Sequence, residues 1–204
     1  MKGRKEIFAG IGLIIIVEGL VYNWSGRVTE LDTIQYSLAA RWSARISLVL
    51  LFYLSAWVSI SGLKKIFSFD RHRNEFVILV SMIAFNHLIH FVFLYINHVI
   101  NNYDLLTLRS AGGAFGYVML TLAPFYLWNK KELTKTVYWS TMCTITLLLI
   151  ISVVSYLGRW NKDLPMASPK EMYLSIMAIA AVLLIMNVYR IFADRNKTVK
   201  TFDH

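Results

Sequence analysis

Residues Phe76 to Ile100 read FVILVSMIAFNHLIHFVFLYINHVI. As a helix rising 1.5 Å per residue this stretch is about 37 Å long, more than the ~30 Å hydrocarbon core of a bilayer. It contains no Lys, Arg, Asp or Glu, yet Asn86, His87 and His90 sit at its centre. Lipid offers such groups no hydrogen-bonding partner. An ionisable side chain at that depth therefore marks a candidate functional site.

Working outward, five further apolar stretches complete a polytopic, all-α membrane protein. The six expected spans are 7–24, 46–67, 76–100, 106–128, 137–157 and 172–192, in one transmembrane domain covering 1–204. They are helices because a lipid-exposed segment must satisfy its backbone internally. The 57% hydrophobic and 16% charged composition over 204 residues agrees. In the long connection before the second span, Leu31, Ile34, Leu38 and Trp42 recur at helical spacing. They predict a separate interfacial helix over 31–42, with Asp32 or Thr33 as its N-cap.

The net charge of +9 does not indicate a nucleic-acid partner, because the basic residues gather at span ends. With the N-terminus inside, the inner side holds Lys2, Arg4, Lys5, Lys64, Lys65, Arg71, Arg73, Lys130, Lys131 and Lys135, followed by the cations of the last segment. That two-to-one bias predicts both termini in the cytoplasm and a place in the plasma (inner) membrane. The first apolar run resembles a signal-peptide core, but Glu18 interrupts it and no A-x-A site follows, so it is taken as an uncleaved span. Arg41 and Arg45 are expected to snorkel to headgroups, and His72 to be solvated in the inner loop. The single cysteine, Cys143, excludes a disulfide framework.

Within the third span, His87 and His98 are eleven positions apart. On a helix they lie within about 20° of one another and ~16 Å apart along one stripe. Asn86, His90 and Asn97 form a second polar line. Glu18 and His87 each stand eleven residues past the start of an outward-running span, so they are expected at one depth, where carboxylate and imidazole can pair or share a proton. Against a functional role, neutral histidines can be satisfied by carbonyls or by hydroxyls such as Thr141, Thr144, Thr146 and Ser152, at ~1 kcal/mol each. His98, near the outer surface, is open to an interfacial role. In the fourth span, Gly112 and Gly116 form a GxxxG pair suited to close helix packing or to a flat cofactor. Nucleophile-elbow, Walker and HExxH motifs are absent, and no metal-ligand cluster is present.

Several pieces together resemble the ferric-reductase-like transmembrane domain, especially the six-helix b-haem subunit paired with periplasmic methionine sulfoxide reductase. They are Ala40-Arg41-Trp42-Ser43-Ala44-Arg45 opening the second span, Arg71-His72-Arg73 before the third, and Ala84-Phe85-Asn86-His87-Leu88-Ile89-His90 within it. Asp104-Leu105-Leu106 and Leu108-Arg109 then lead into the glycine-bearing fourth span. The likeness covers roughly Ala40 to Trp160. It implies haem b on His87 or His90, with His98 a weaker ligand, and electron transfer from an inner quinone or flavoprotein to an outer acceptor. The sequence departs from the family in the fifth span, which has no histidine, and Thr or Ser cannot replace an axial imidazole. Two other functions stay open. One is a cofactor-free subunit or scaffold bound to other membrane subunits. The other is a small proton-coupled transporter using Glu18 and His87, although no inverted repeat is evident.

Overall fold

The structure is a computed structural model, described here at residues 2–103, 108–128, 132–160 and 169–199, with side chains at 5–103, 115–116, 118–128, 132–160 and 169–194. Among the described residues the chain is all helical. The elements are α1 (Lys2–Val28), α2 (Asp32–Ser61), α3 (Leu63–Ser68), α4 (Asp70–Ile100), α5 (Leu108–Trp128), α6 (Lys135–Trp160) and α7 (Lys170–Val199). Five of them, α1, α2, α4, α6 and α7, are long and apolar enough to cross a membrane. Helix α5 overlies the remaining expected span and contributes the apolar stretch Val118–Trp128.

Burial is distributed as a bilayer demands. Leu20, Ile60, Phe125 and Ile185 are exposed, Phe125 at 74%. Glu18, Ser43, Ser47, Ser55, Asn86 and Asn187 are buried. Apolar side chains outside and polar ones inside are the arrangement of an integral, multi-pass membrane protein.

Helix α4 packs against α1, α2 and α5, while α2 also carries α7, and α6 bridges α5 and α7. The end of the bundle that holds the N-terminus and Lys64 is called proximal, and the other distal. Because lipid is as apolar as the helix faces, close packing and side-chain hydrogen bonds hold the bundle. Two asparagines do this. Asn86 of α4 donates to the Ser43 carbonyl at 2.9 Å and to Ser47 Oγ at 2.6 Å, both on α2. Asn187 of α7 donates to Ser55 Oγ of α2 and, at 3.1 Å, to its own Leu183 carbonyl. Small residues bring other pairs close. A Cβ on Gly10 would stand 3.1 Å from Met82 of α4, and one on Gly116 would stand 3.3 Å from Ile151 of α6. Gly116 thus packs α5 on α6, whereas the surroundings of Gly112 lie outside the described residues.

Several expectations need correction. The helix over 31–42 is not separate from the second span, because α2 runs unbroken from Asp32 to Ser61. Nothing in Ala39-Ala40-Arg41-Trp42-Ser43-Ala44-Arg45 stops propagation, as these residues include good helix formers and no Gly or Pro. Its N-cap is Leu31, extended and without a side-chain cap, rather than Asp32 or Thr33. The span also ends at Ser61 rather than Phe67, since Gly62 adopts φ +77°, a left-handed value that favours glycine. The chain then turns into α3.

At α4's distal end Asn102 takes the left-handed position (φ 52°), Tyr103 N–H reaches the His98 carbonyl at 2.9 Å, and Asn102 N–H reaches Val99 at 3.3 Å. This is a Schellman stop with asparagine in glycine's place. His72 is part-buried rather than solvated. Its ring stands edge-on to Trp57 and Phe69, and its Nδ1 is 3.2 Å from Glu75 Oε2. The short loop folds α3 back beneath α2, which brings those aromatic rings to it.

A proximal clasp closes the bundle. Arg190 pairs with Asp194 at 3.2 Å, and Tyr138 of α6 donates to the same carboxylate at 3.1 Å. The Arg190 guanidinium lies over Gly62, where a Cβ would fall 1.6 Å from Nη2. Gly62→Ala is expected to destabilise the protein by about 1–2 kcal/mol, through both the positive φ and the displaced guanidinium. Asn187→Leu is expected to cost about 1 kcal/mol. Thermal unfolding of the detergent-purified variants measures both.

Candidate functional site

Helices α1 and α4 run side by side in the same direction, with Gly10 opposite Met82 and Tyr22 stacked on Phe93 at 5.9 Å between ring centroids. That register sets the Glu18 backbone level with Ile89 and His90, about one turn beyond Asn86, and a helical side chain leans back toward its own N-terminus. The Glu18 side chain lies beside those of Ser43 and Asn86 and is 2% exposed. Among the described residues, neither Glu18 carboxyl oxygen, nor Ser43 Oγ, nor Asn86 Oδ1 has a hydrogen-bond partner of good geometry. Four polar atoms from three helices thus meet at mid-depth with no donor clearly assigned among them. Sequence reasoning missed Ser43 and Ser47. Their signal was available, because Ser43, Ser47, Ser55 and Ser59 recur at multiples of four in the second span.

Asn86 is continuous with the imidazoles. The rings of His87 and His90 stand 6.1 Å apart, inclined at 70°. His87 lies near the Ile83 carbonyl one turn below, and His90 near the Ala40 carbonyl of α2. Two of the hydroxyls considered as partners are otherwise engaged. Thr144 donates to Ser140 at 2.7 Å and Ser152 to Leu148 at 2.8 Å, both within α6.

Distally, His90 opens on a cavity of about 350 Å³ whose lining mixes polar and apolar side chains. One face of α2 (Thr33, Ser37, Arg41) and one face of α4 (His90, Asn97, His98, Asn101) form its walls, and Arg159 of α6 lies across it. Asn101 donates to the Asn97 carbonyl at 2.8 Å, and His98 Nδ1 is 2.8 Å from the Leu94 carbonyl. A carbonyl only accepts, so His98 Nδ1 carries the hydrogen. Arg41 and Arg45 are part-buried. Arg41 donates to Ser37 Oγ at 3.1 Å, and Arg45 sits 4.3 Å above the Trp42 ring, beside Tyr156. Their guanidinium groups are held against the protein.

A second cavity, about 370 Å³, separates α4 from α6 in the proximal half. Phe76, Val80, Ile83, Leu120, Ile145 and Leu148 make it apolar, with Thr141 and Thr144 at its α6 wall. It lies between the third and fifth expected spans, and no imidazole lines it. Among the described residues no group of three or more metal-ligating side chains occurs.

No family model matches the chain, and neither a curated protein nor a solved structure does.

The geometry sets an accessibility pattern. With Cys143 replaced by Ser, Asn101→Cys is expected to react with a membrane-impermeant maleimide added from the distal side of sealed vesicles. Val80→Cys, buried on the apolar proximal cavity, is expected to stay unlabelled. Mass-shift gels read both, and the labelled side reports which end faces out.

Proposed function

We propose that the chain is a proton-handling membrane protein, in which Glu18, Ser43 and Asn86 hold a proton at mid-depth and exchange it with distal water through His87 and His90, in support of solute transport. One observation carries this. Asn86 gives its amide hydrogens to Ser43 O and Ser47 Oγ, so its Oδ1 requires a donor from elsewhere. A neutral Glu18 carboxyl supplies that donor, and Ser43 Oγ–H then donates to the other carboxyl oxygen. An ionised Glu18 supplies none, and a buried orphan acceptor costs about 1–3 kcal/mol. The cluster therefore has two states that differ by one proton. Imidazole accepts at one nitrogen and donates from the other, which suits His87 and His90 to carry that proton toward the cavity. In this reading the proximal end faces the cytoplasm, and α5 completes six spans.

Proteoliposomes containing an internal pH dye test it. After an external acid step, wild-type vesicles are expected to acidify faster than empty ones, and Glu18→Gln to reduce that rate at least about tenfold, the scale of a lost positioned acid–base group. Acidification no faster than in empty liposomes would count against the proposal.

A second reading is a b-type haem in a ferric-reductase-like frame, passing electrons between a proximal donor and a distal acceptor. His90 favours it, because this imidazole faces a cavity that also holds Arg41 and Arg159, cations suited to propionates. The residues fit only one side of such a group. The described part of α6 offers no opposing imidazole, and the cavity beside His90 is lined by polar and apolar groups in about equal measure. An absorption spectrum distinguishes the two readings: a haem on His90 gives a Soret band that is lost in His90→Ala, and the proton-handling reading expects colourless protein.

A further inference from the structure

The distal cavity gathers more positive charge than a proton path requires. Arg41 and Arg159 line it, and Arg45 stands within electrostatic reach of both. Each guanidinium is braced: Arg41 by Ser37 Oγ, Arg159 by the Tyr156 ring at 5.6 Å, and Arg45 by the Trp42 ring. Bracing of this kind removes much of the side-chain entropy that a flexible cation loses when it captures an anion. Each brace comes from the arginine's own helix, three or four residues before it, and the tertiary fold then brings Arg41 and Arg45 of α2 within electrostatic reach of Arg159 of α6.

The rest of the lining is mixed, with Ile34, Ala40 and Leu94 as its apolar patches. Asn97, Asn101 and Tyr103 add hydrogen-bonding groups around the arginines. A volume of about 350 Å³ admits a solute far larger than one water, whose share of the liquid is about 30 Å³. Partial burial also strengthens attraction to a negative ligand compared with open water.

We propose that this cavity binds a phosphate-type oxyanion, with Arg41 and Arg159 as its guanidinium ligands. The phosphate comes either from a free solute or from the headgroup of an anionic phospholipid in the adjoining leaflet. Arginine suits this chemistry because its planar fork offers paired N–H donors to two oxygens at once. Arg45 adds long-range attraction without lining the site. This inference is independent of proton handling, since it uses none of Glu18, Ser43 or Asn86.

The full chain, purified in uncharged detergent and stripped of lipid, is tested by thermal unfolding against inorganic phosphate, with chloride at matched ionic strength as control. In parallel, the chain in nanodiscs of mixed phosphatidylglycerol and phosphatidylcholine is examined by native mass spectrometry for retained lipid. Saturable stabilisation by phosphate identifies a free solute. Retention of phosphatidylglycerol without a phosphate effect identifies a headgroup. In either case Arg159→Gln is expected to weaken binding about tenfold or more, the scale of a lost charge-assisted hydrogen bond, with Arg159→Lys intermediate. Arg41→Gln is expected to do the same, and Glu18→Gln to leave anion binding unchanged. The proposal is overturned if phosphate acts no differently from chloride and no phosphatidylglycerol is retained. It is equally overturned if binding is unaltered in Arg159→Gln, whose folding is checked by its helical circular dichroism. Should Arg41→Gln fail to fold, the Arg159 pair alone decides.

Discussion

Two amide side chains hold this bundle in register. Asn86 ties α4 to α2 through Ser43 and Ser47, and Asn187 ties α7 to α2 through Ser55. In a medium where apolar faces gain little by leaving lipid, such bonds decide which helix sits beside which. Ser43 and Ser55 are twelve positions apart, about 120° around the helix. That angle is why α4 and α7 occupy different sides of α2, and why α2 becomes the shared wall of everything else.

The same tie that orders the helices also creates the chemistry. Fixing Asn86 by its nitrogen leaves its oxygen facing α1, where Glu18 arrives. Structure and candidate function therefore cannot be separated by mutation at Asn86, whereas Glu18 is not itself part of the tie to α2. At the proximal end the order is reversed. There the Arg190–Asp194–Tyr138 group joins α6 and α7 over Gly62. The Asp194 carboxylate is supplied with two donors, which makes that cluster a fastening, whereas the mid-depth cluster is the candidate site.

Much of this was legible in the sequence, and the limits have physical causes. The central span, its polar residues and the arrival of Glu18 at mid-depth follow from length and spacing, which are properties of one helix at a time. Which groups at that depth actually touch depends on how each helix is rotated about its axis. Rotation is set by packing, through Gly10 against Met82 and the serines of α2, so Ser43 was not singled out. The fusion of the 31–42 segment with the second span was missed for another reason. Charged residues at Arg41 and Arg45 suggest a break in hydropathy, but backbone hydrogen bonding does not stop at a change of solvent. His72 shows the same effect, because its place between two spans says nothing about the rings of Trp57 on α2 and Phe69 at the start of α4 that stand against it.

The lengths of α2 and α4 have a mechanical result. At 30 and 31 residues they rise about 45 Å, well beyond a ~30 Å hydrocarbon layer. A helix pair that outruns the hydrocarbon layer must leave part of its length among the headgroups, and its polar ends, Asp32 and Thr33 on one helix and Asp70 to Glu75 on the other, are the parts that can stay hydrated there.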